Sequence, residues 1–449
     1  MKDFYGLLEI TDTTIFKECY LRCTMKTLSD CQQLDALDAL RHLRDQFSLP
    51  EGVIYLDGNS LGALPKTAVA RVAKVVTHEW GQGLIRSWND AGWIGQPQRL
   101  GDKIAGLIGA GPGEVVVADS TSINLYKVLS VVLGIAAHDA PARKILLSER
   151  SNFPTDLYIA EGLCHERGLR LQLVDSQDLA ASLNADVAVL MLTHVNYRTG
   201  AMFDMAALTQ AAHQAGALTV WDLAHSAGAV PVDLTGAQAD FAVGCGYKFL
   251  NGGPGAPAFL WVNPGHAHRQ DIEVVQPLQG WMGHAAPFGF TPGYTPAPGI
   301  TRYLCGTPPV LGMAALDCGL DTLLAAEPLG GMAALRAKSL ALSDLFIELI
   351  ELRCAGHGLA VVTPSAPAQR GSQVSLTLEG SHAYATIQAL ITRGVVGDFR
   401  SGDPDILRFG LTPLYLGFED VWHAVGHLKQ VLESEIWKQP EFNQKNAVT

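Results

Sequence analysis

Between about residues 105 and 265 the chain alternates between two hydrophobic rhythms. The short apolar runs EVVVAD, KILLSE, LRLQLVD, VAVLMLTHV, ALTVWDLA, FAVGCGY and PAFLWV read as strands. Between them, INLYKVLSVVLGIA and MAALTQAAHQAGA repeat apolar residues every three to four positions, the period of a helix. Alternation of this kind marks βαβ units, so the pattern predicts an α/β fold with a large domain built on a mainly parallel seven-stranded sheet. Upstream, Leu34 to Phe47 has helical spacing, Ser48 to Gly52 ends it with turn chemistry, and VIYLDGNSLG reads as a short strand entering a glycine-rich turn. Downstream, the Pro/Gly-rich stretch Gly280 to Pro309 predicts loops over the large domain. A long Ala/Leu-rich helix is expected from there to about Cys354, followed by a small α+β domain containing GSQVSLTLE, AYATIQALITRG and ILRFGLTPLY. The expected division is an extension at 1–29, an N-terminal segment of the small domain at 30–60, the large domain at 61–320 and the small C-terminal domain at 321–449. Residues 1 to about 24, ahead of Met25, fit the helical pattern poorly and read as a dispensable extension or an upstream start.

A chain of 449 residues exceeds the usual size of one hydrophobic core, which agrees with two domains. No uncharged apolar run is long enough to cross a bilayer. The formal charge of −12 disfavours a nucleic-acid binder, which needs a concentrated basic surface. The first twenty residues lack the basic start and apolar stretch of a secretory signal, so a cytoplasmic location is expected. The eight cysteines are too sparse for a disulfide framework. Cys19, Cys23 and Cys31 cluster without a CxxC pair or matching histidines, and His266 and His268 form too small a group, so no metal is expected.

The candidate chemistry lies at the ends of the predicted strands. One strand ends in Asp222, and Lys248 follows another 26 residues later, which can place a carboxylate and an amine in one crevice. Alone, Asp222 reads as a helix N-cap and Lys248 as a solvated lysine. Together, with glycines flanking Tyr247-Lys248, they resemble the aspartate and lysine of fold-type I pyridoxal-phosphate enzymes. There a lysine holds the cofactor as a Schiff base, and an aspartate keeps the pyridine nitrogen protonated, making the ring an electron sink. EVVVADSTSINLYKVL reads as strand, Ser/Thr turn and helix, a geometry that captures a phosphate, with Thr121 and Ser122 as ligands or as a plain N-cap pair. In SERSNFPTDLY, Phe153 is a candidate to cover the ring and Asp156 to hydrogen-bond near it, against the plainer readings of core phenylalanine and N-cap. His225, three residues after Asp222, is a candidate neighbour of the pyridine or a satisfied core histidine.

LDGNSLG, NFPTD, HVNYRTG, WDLAHSAGAVPVDL, GYKFLNGGPGAPAFLWV, GWMGH, TPP and LRFGLTPLY, in this order over residues 30 to 435, resemble kynureninase. The resemblance implies a Schiff base of pyridoxal 5'-phosphate on Lys248, with Asp222 on the pyridinium nitrogen. It implies that Thr121, Ser122, Phe153, Asp156, Thr193, His225, Tyr247, Trp281 and Thr307 complete the cofactor site. Arg408 is similar to the family's carboxylate-binding arginine, Ser60 approaches the substrate end, and Tyr247 is the candidate proton donor and acceptor. Trp88 and the Gly306-Thr307 pair stand where the family contacts the substrate's aromatic ring and look like the bacterial type, favouring kynurenine over its 3-hydroxy form. The implied partners are L-kynurenine and a second copy of the chain in a homodimer. The implied reaction is hydrolysis to anthranilate and alanine in tryptophan degradation.

A desulfurase or aminotransferase of the same fold shares the lysine, aspartate and phosphate turn. A desulfurase, however, needs a nucleophilic cysteine on a mobile loop, and neither Cys305 nor Cys354 lies in such a motif. A noncatalytic relative would be expected to have lost Lys248, Arg408 or Tyr247. A dehydrogenase would need a GxGxxG after an early strand, which is absent.

Overall fold

The computed structural model describes residues 26–269, 276–380 and 382–445. The expected extension therefore lies outside the described residues up to Lys26, as do Cys19 and Cys23. All seven apolar runs form strands: β1 (Val115–Ala118), β2 (Ile145–Glu149), β3 (Arg170–Val174), β4 (Val187–Thr193), β5 (Leu218–Asp222), β6 (Phe241–Gly244) and β7 (Ala258–Val262). They make one sheet in the order β1-β7-β6-β5-β4-β2-β3. The sheet is parallel except for β7, which runs antiparallel to both neighbours.

Each face of this sheet buries its own hydrophobic core, which is why the strands read as continuous apolar runs. Val117, Leu147, Trp221 and Phe259 point into one cluster, and Val116, Leu146, Val220 and Leu260 into the other. The helix Thr121–Asp139 packs in the second cluster. It has the length and composition of a membrane span, but it is mostly buried against the sheet and carries Lys127 at its middle.

The second sheet belongs to the C-terminal part: β8 (Leu359–Val361), β9 (Gln373–Leu378), β10 (Asp398–Arg400) and β11 (Ile406–Gly410), antiparallel in the order β8-β9-β11-β10. The short strand Ile54–Tyr55 pairs with Val395–Val396, tying the N-terminal segment to this part of the chain.

Two expected helices differ from the sequence reading. The first runs Leu28–Leu37, because Thr27 and Asp30 form a capping box ahead of Leu34. It stops at Asp38, whose Oδ1 accepts from the Leu40 N–H at 2.9 Å, and a separate 3-10 turn covers Arg41–Gln46. The long helix expected up to Cys354 is two helices, Val310–Leu324 and Gly331–Arg353. Pro328 lacks an N–H, and Gly330 and Gly331 take φ of +103° and +57°, so the chain turns between them.

Candidate active site

The chain reverses direction across the sheet between β2 and β4, and the loops beyond the carboxyl ends of these parallel strands are where such sheets bind ligands. Because β1 and β6 both run antiparallel to β7, they point the same way, and the segment after β1 joins this edge.

After β6 the chain folds back on itself, with the Asn251 N–H donating to Lys248 O and the Gly252 N–H to Gly246 O, both at 2.9 Å. The turn at 56–62 docks on this loop through the Gly62 N–H, which donates to Tyr247 O at 2.8 Å. A Cβ at Gly62 would stand 2.4 Å from Lys248 O, so the approach requires glycine. After β5, Asp222 Oδ1 accepts from the Ala224 N–H at 2.8 Å, with His225 in the turn that follows. After β1, Asp119 takes a φ of +45° and Ser120 caps the helix, its Oγ accepting from the Ile123 N–H at 3.4 Å. The N-cap is thus Ser120, and Thr121 and Ser122 open the helix with N–H groups that have no acceptor inside it.

Thr121, Ser122, Phe153, Asp156, Thr193, Asp222, His225, Tyr247 and Lys248 all line one cavity of about 140 Å³. Phe153 is 39% exposed, which sets aside a core role for it. Asp222, His225 and Asp156 are buried, and Lys248 Nζ lies 2.9 Å from His225 Nε2. Burial lowers the Lys248 ammonium from its ordinary range; Cys245 and Asp222 oppose this, and Arg408 and Arg400 add to it. Burial, then the Lys248 charge, pushes His225 well below the usual range, so its imidazole is neutral. Burial, then the Asp222 carboxylate, pushes Asp156 well above the usual range. Asp222 is also raised by burial, against the pull of Lys248. Burial likewise raises the Tyr247 phenol, with Cys245 and Asp222 contributing.

Arg408 and Ser60 lie beside this cavity, outside its lining. Arg408, on β11, is only 1% exposed, which excludes a surface role. Its Nη1 donates to Tyr197 O and its Nη2 to Ser60 Oγ, both at 2.7 Å, and Nη2 also pairs with Asp398. Trp88 and Trp281 pack edge to face at 6.1 Å, away from the cavity lining. Thr307 is exposed, and it neighbours Trp281 through the Met282 N–H, which donates to Cys305 O at 3.1 Å. One chain therefore gathers nine of the predicted cofactor residues but not Trp281 or Thr307.

Sequence reasoning missed several participants. Tyr197 stands edge-on to Phe153 at 5.2 Å, and Cys245 lines the cavity behind Lys248. Asn152 Oδ1 accepts from the Thr193 hydroxyl and, at 2.7 Å, from the Phe153 N–H, while its Nδ2 donates to Ser148 Oγ at 3.0 Å. Asn152 and Tyr197 sit inside NFPTD and HVNYRTG, so their motifs were visible although their roles were not. Of the alternative groups, Cys354 is buried, Cys305 is half-buried and His266 is held by Asp240 at 2.7 Å.

The cavity fits pyridoxal phosphate. Asp156 Oδ2 and His225 Nδ1 are buried in its wall without hydrogen-bond partners, and a buried carboxylate and amine converge there beside an open helix N-terminus. Solved structures with the same fold include the cysteine desulfurase of Thermococcus onnurineus NA1 (20% identity, TM-score 0.73, 87% of this chain and 98% of that one). A mutant of C-DES with glycine covalently linked to its PLP cofactor matches at 18% identity and a TM-score of 0.73, over 86% of this chain and 98% of that one. Fold and site together define a fold-type I pyridoxal-phosphate enzyme. A family model described as the kynureninase C-terminal domain matches residues 335–428. Kynureninases from Pseudomonas fluorescens and Burkholderia pseudomallei strain K96243 are 56% identical over 429 and 428 aligned residues, each covering 95% of this chain and 100% of the relative. The chain belongs to the kynureninase family.

Proposed function

We propose that the enzyme hydrolyses the Cβ–Cγ bond of L-kynurenine to give anthranilate and L-alanine, with 3-hydroxykynurenine a less favoured substrate, and that it works in tryptophan degradation as a cytoplasmic homodimer. The observation that carries this reading is the convergence of Lys248, Asp222 and His225 in one cavity, with the buried Arg408 close enough for its charge to lower the Lys248 ammonium. Bound on Lys248, pyridoxal phosphate supplies an electron sink for bonds broken next to the substrate's amine-bearing carbon.

Asp222 would hold the proton of the pyridine nitrogen, and its burial would strengthen that ion pair. Thr121 and Ser122 would offer N–H groups and hydroxyls to the phosphate, and Thr193, Phe153, Asp156 and His225, which line the same cavity, would hold the ring. Arg408 anchors the substrate's α-carboxylate, assisted by Ser60, and this fixes which bond of the substrate faces Lys248. Lys248 Nζ takes the α-proton; the lowering of its ammonium by burial makes the neutral amine available. Tyr247, whose phenol burial keeps protonated, delivers and recovers protons while water attacks the γ-carbonyl and the carbon–carbon bond breaks. Trp88, which packs on Trp281 away from this cavity, would meet the aromatic ring of the substrate from the second copy.

The exposed apolar side chains of Leu64, Val69, Val76, Trp80, Leu84 and Ile85 support a homodimer, because so many exposed within one short stretch of chain ask for a partner. The placement of Trp281 and Thr307 outside the one-chain cavity agrees with their serving the site of the second copy. Product analysis of the cofactor-loaded enzyme with L-kynurenine tests the reaction. Anthranilate and alanine in equal amounts are expected. Persulfide from cysteine with no anthranilate from kynurenine would overturn the reading.

A further inference from the structure

We infer that Asp57 takes up a proton when the substrate's carboxylate docks on Arg408, so that substrate binding and protonation of this side chain are one coupled event. The inference rests on the reading of Arg408 as the carboxylate anchor. It follows from a charge count in a confined place. The turn at 56–62 lays Asp57 and Ser60 against β10 and β11, where Asp398, Arg400 and Arg408 stand. Asp398 is held at both oxygens, by Arg400 Nη1 at 2.9 Å on one and by Arg408 Nη2 on the other. Ser60 Oγ accepts from Arg408 at 2.7 Å and from Arg400 at 3.3 Å. Both guanidinium groups thereby neutralise Asp398 and hold Ser60, while Arg408 Nη1 donates to Tyr197 O and its Nε is buried without a partner. Asp57 Oδ1, by contrast, is buried without a hydrogen-bond partner.

Two carboxylates and two guanidinium groups balance. A third carboxylate brought in by the substrate leaves one negative charge in excess in a poorly solvated site. The remaining neighbours of Asp57 cannot compensate, since burial raises the phenols of both Tyr55 and Tyr415 and leaves them neutral. The group with the least to lose on protonation is the carboxylate with an orphaned oxygen, Asp57. Its acidity already points this way: burial and then Asp398 push it up to about 7, against Arg408, Ser60 and Arg400. Around pH 8 Asp57 is therefore mostly ionised in the free enzyme, and the arriving negative charge raises it further and protonates it. The sign is fixed: the bound state holds the extra proton, so affinity for the carboxylate falls as pH rises above about 7.

The test is calorimetric titration of the holoenzyme with 4-(2-aminophenyl)-4-oxobutanoate, the kynurenine skeleton without its α-amine, in two buffers of different ionisation heat. The wild type is expected to take up roughly 0.5–1 proton at pH 8 and to bind roughly fivefold more weakly at pH 8 than at pH 7. Asp57→Asn should bind with no proton uptake and equal affinity at both pH values. Wild-type binding without proton uptake, or uptake undiminished in Asp57→Asn, overturns the inference while leaving the anchor intact. The wild-type measurement decides even if the variant does not fold. Arg408→Lys separates the two claims: a loss of about 100-fold in affinity is expected, and unchanged affinity removes the anchor and the inference together. Absence of any binding heat with the wild type at millimolar probe also counts against both.

Discussion

Lys248 is a half-buried lysine whose amine meets a neutral imidazole, with the Asp222 carboxylate in the same cavity. Its place in the cavity was legible in the sequence because an apolar run that closes on a charged residue, or leads into a short loop carrying one, gives that residue an address at the sheet's edge. Asp222 closes β5, and Lys248 lies in the loop that follows β6. Asp57 and Asp398 were not legible, because each acquires meaning only when the turn at 56–62 meets β10 and β11, a contact between segments more than 300 residues apart. The two buried aspartates of the cavity should respond differently to the same change. Asp156 is held neutral by burial and by Asp222, so Asp156→Asn should keep cofactor affinity within about threefold of wild type, as read by equilibrium dialysis. Asp222→Asn removes the partner of a cation, and kcat/KM for kynurenine should fall at least about 100-fold. Arg408→Lys keeps the charge but loses the fork, and should raise KM by about 100-fold with the visible absorbance of the bound cofactor unchanged.

At the scale of elements, local sequence was informative where one residue decides the outcome. The Ser/Thr turn after β1 was foreseen, but the cap fell on Ser120 because Asp119 adopts a left-handed conformation, a twist no propensity announces. The breaks at Asp38 and at Pro328 to Gly331 were hidden inside continuous apolar periodicity. Gly62→Ala forces a methyl group against Lys248 O, so it should cost about 2 kcal/mol in chemical denaturation and lower activity with the catalytic groups all present. Far from the cavity, Asp240 fastens β5, β6 and two flanking segments: its Oδ2 accepts from His213 and from the Thr219 N–H, both at 2.8 Å, and its Oδ1 from His266 at 2.7 Å. Burial opposes ionisation of Asp240, yet the hydrogen bonds from His213 and His266 hold it at about 2, and the His213 imidazolium is raised in turn. The Asp240 contribution is present above the ordinary carboxylate range near 3.8 and disappears as pH falls towards 2. The His213 contribution is complete below its ordinary 6.5 and declines as pH rises through its raised value. Asp240→Ala should lose about 3 kcal/mol at pH 7, and His213→Asn should flatten thermal stability between pH 6 and 8.

For the whole molecule, the doubly covered sheet was readable from seven runs that are apolar on both faces, because only a sheet with two cores buries such strands. The gathering of the site was less readable, since Trp88, Trp281 and Thr307 stand off the one-chain cavity. The exposed apolar residues from Leu64 to Ile85 predict a particle of twice the chain mass in sedimentation, and Ile85→Asp should shift it towards the single chain. Cleavage of kynurenine is expected to depend on one lysine, Lys248. The direct measurement is anthranilate fluorescence from cofactor-loaded enzyme and L-kynurenine, wild type beside Lys248→Ala. Steady formation by the wild type and none above background by the variant is the predicted result; anthranilate from the variant at the wild-type rate, or none from the loaded wild type, would contradict it.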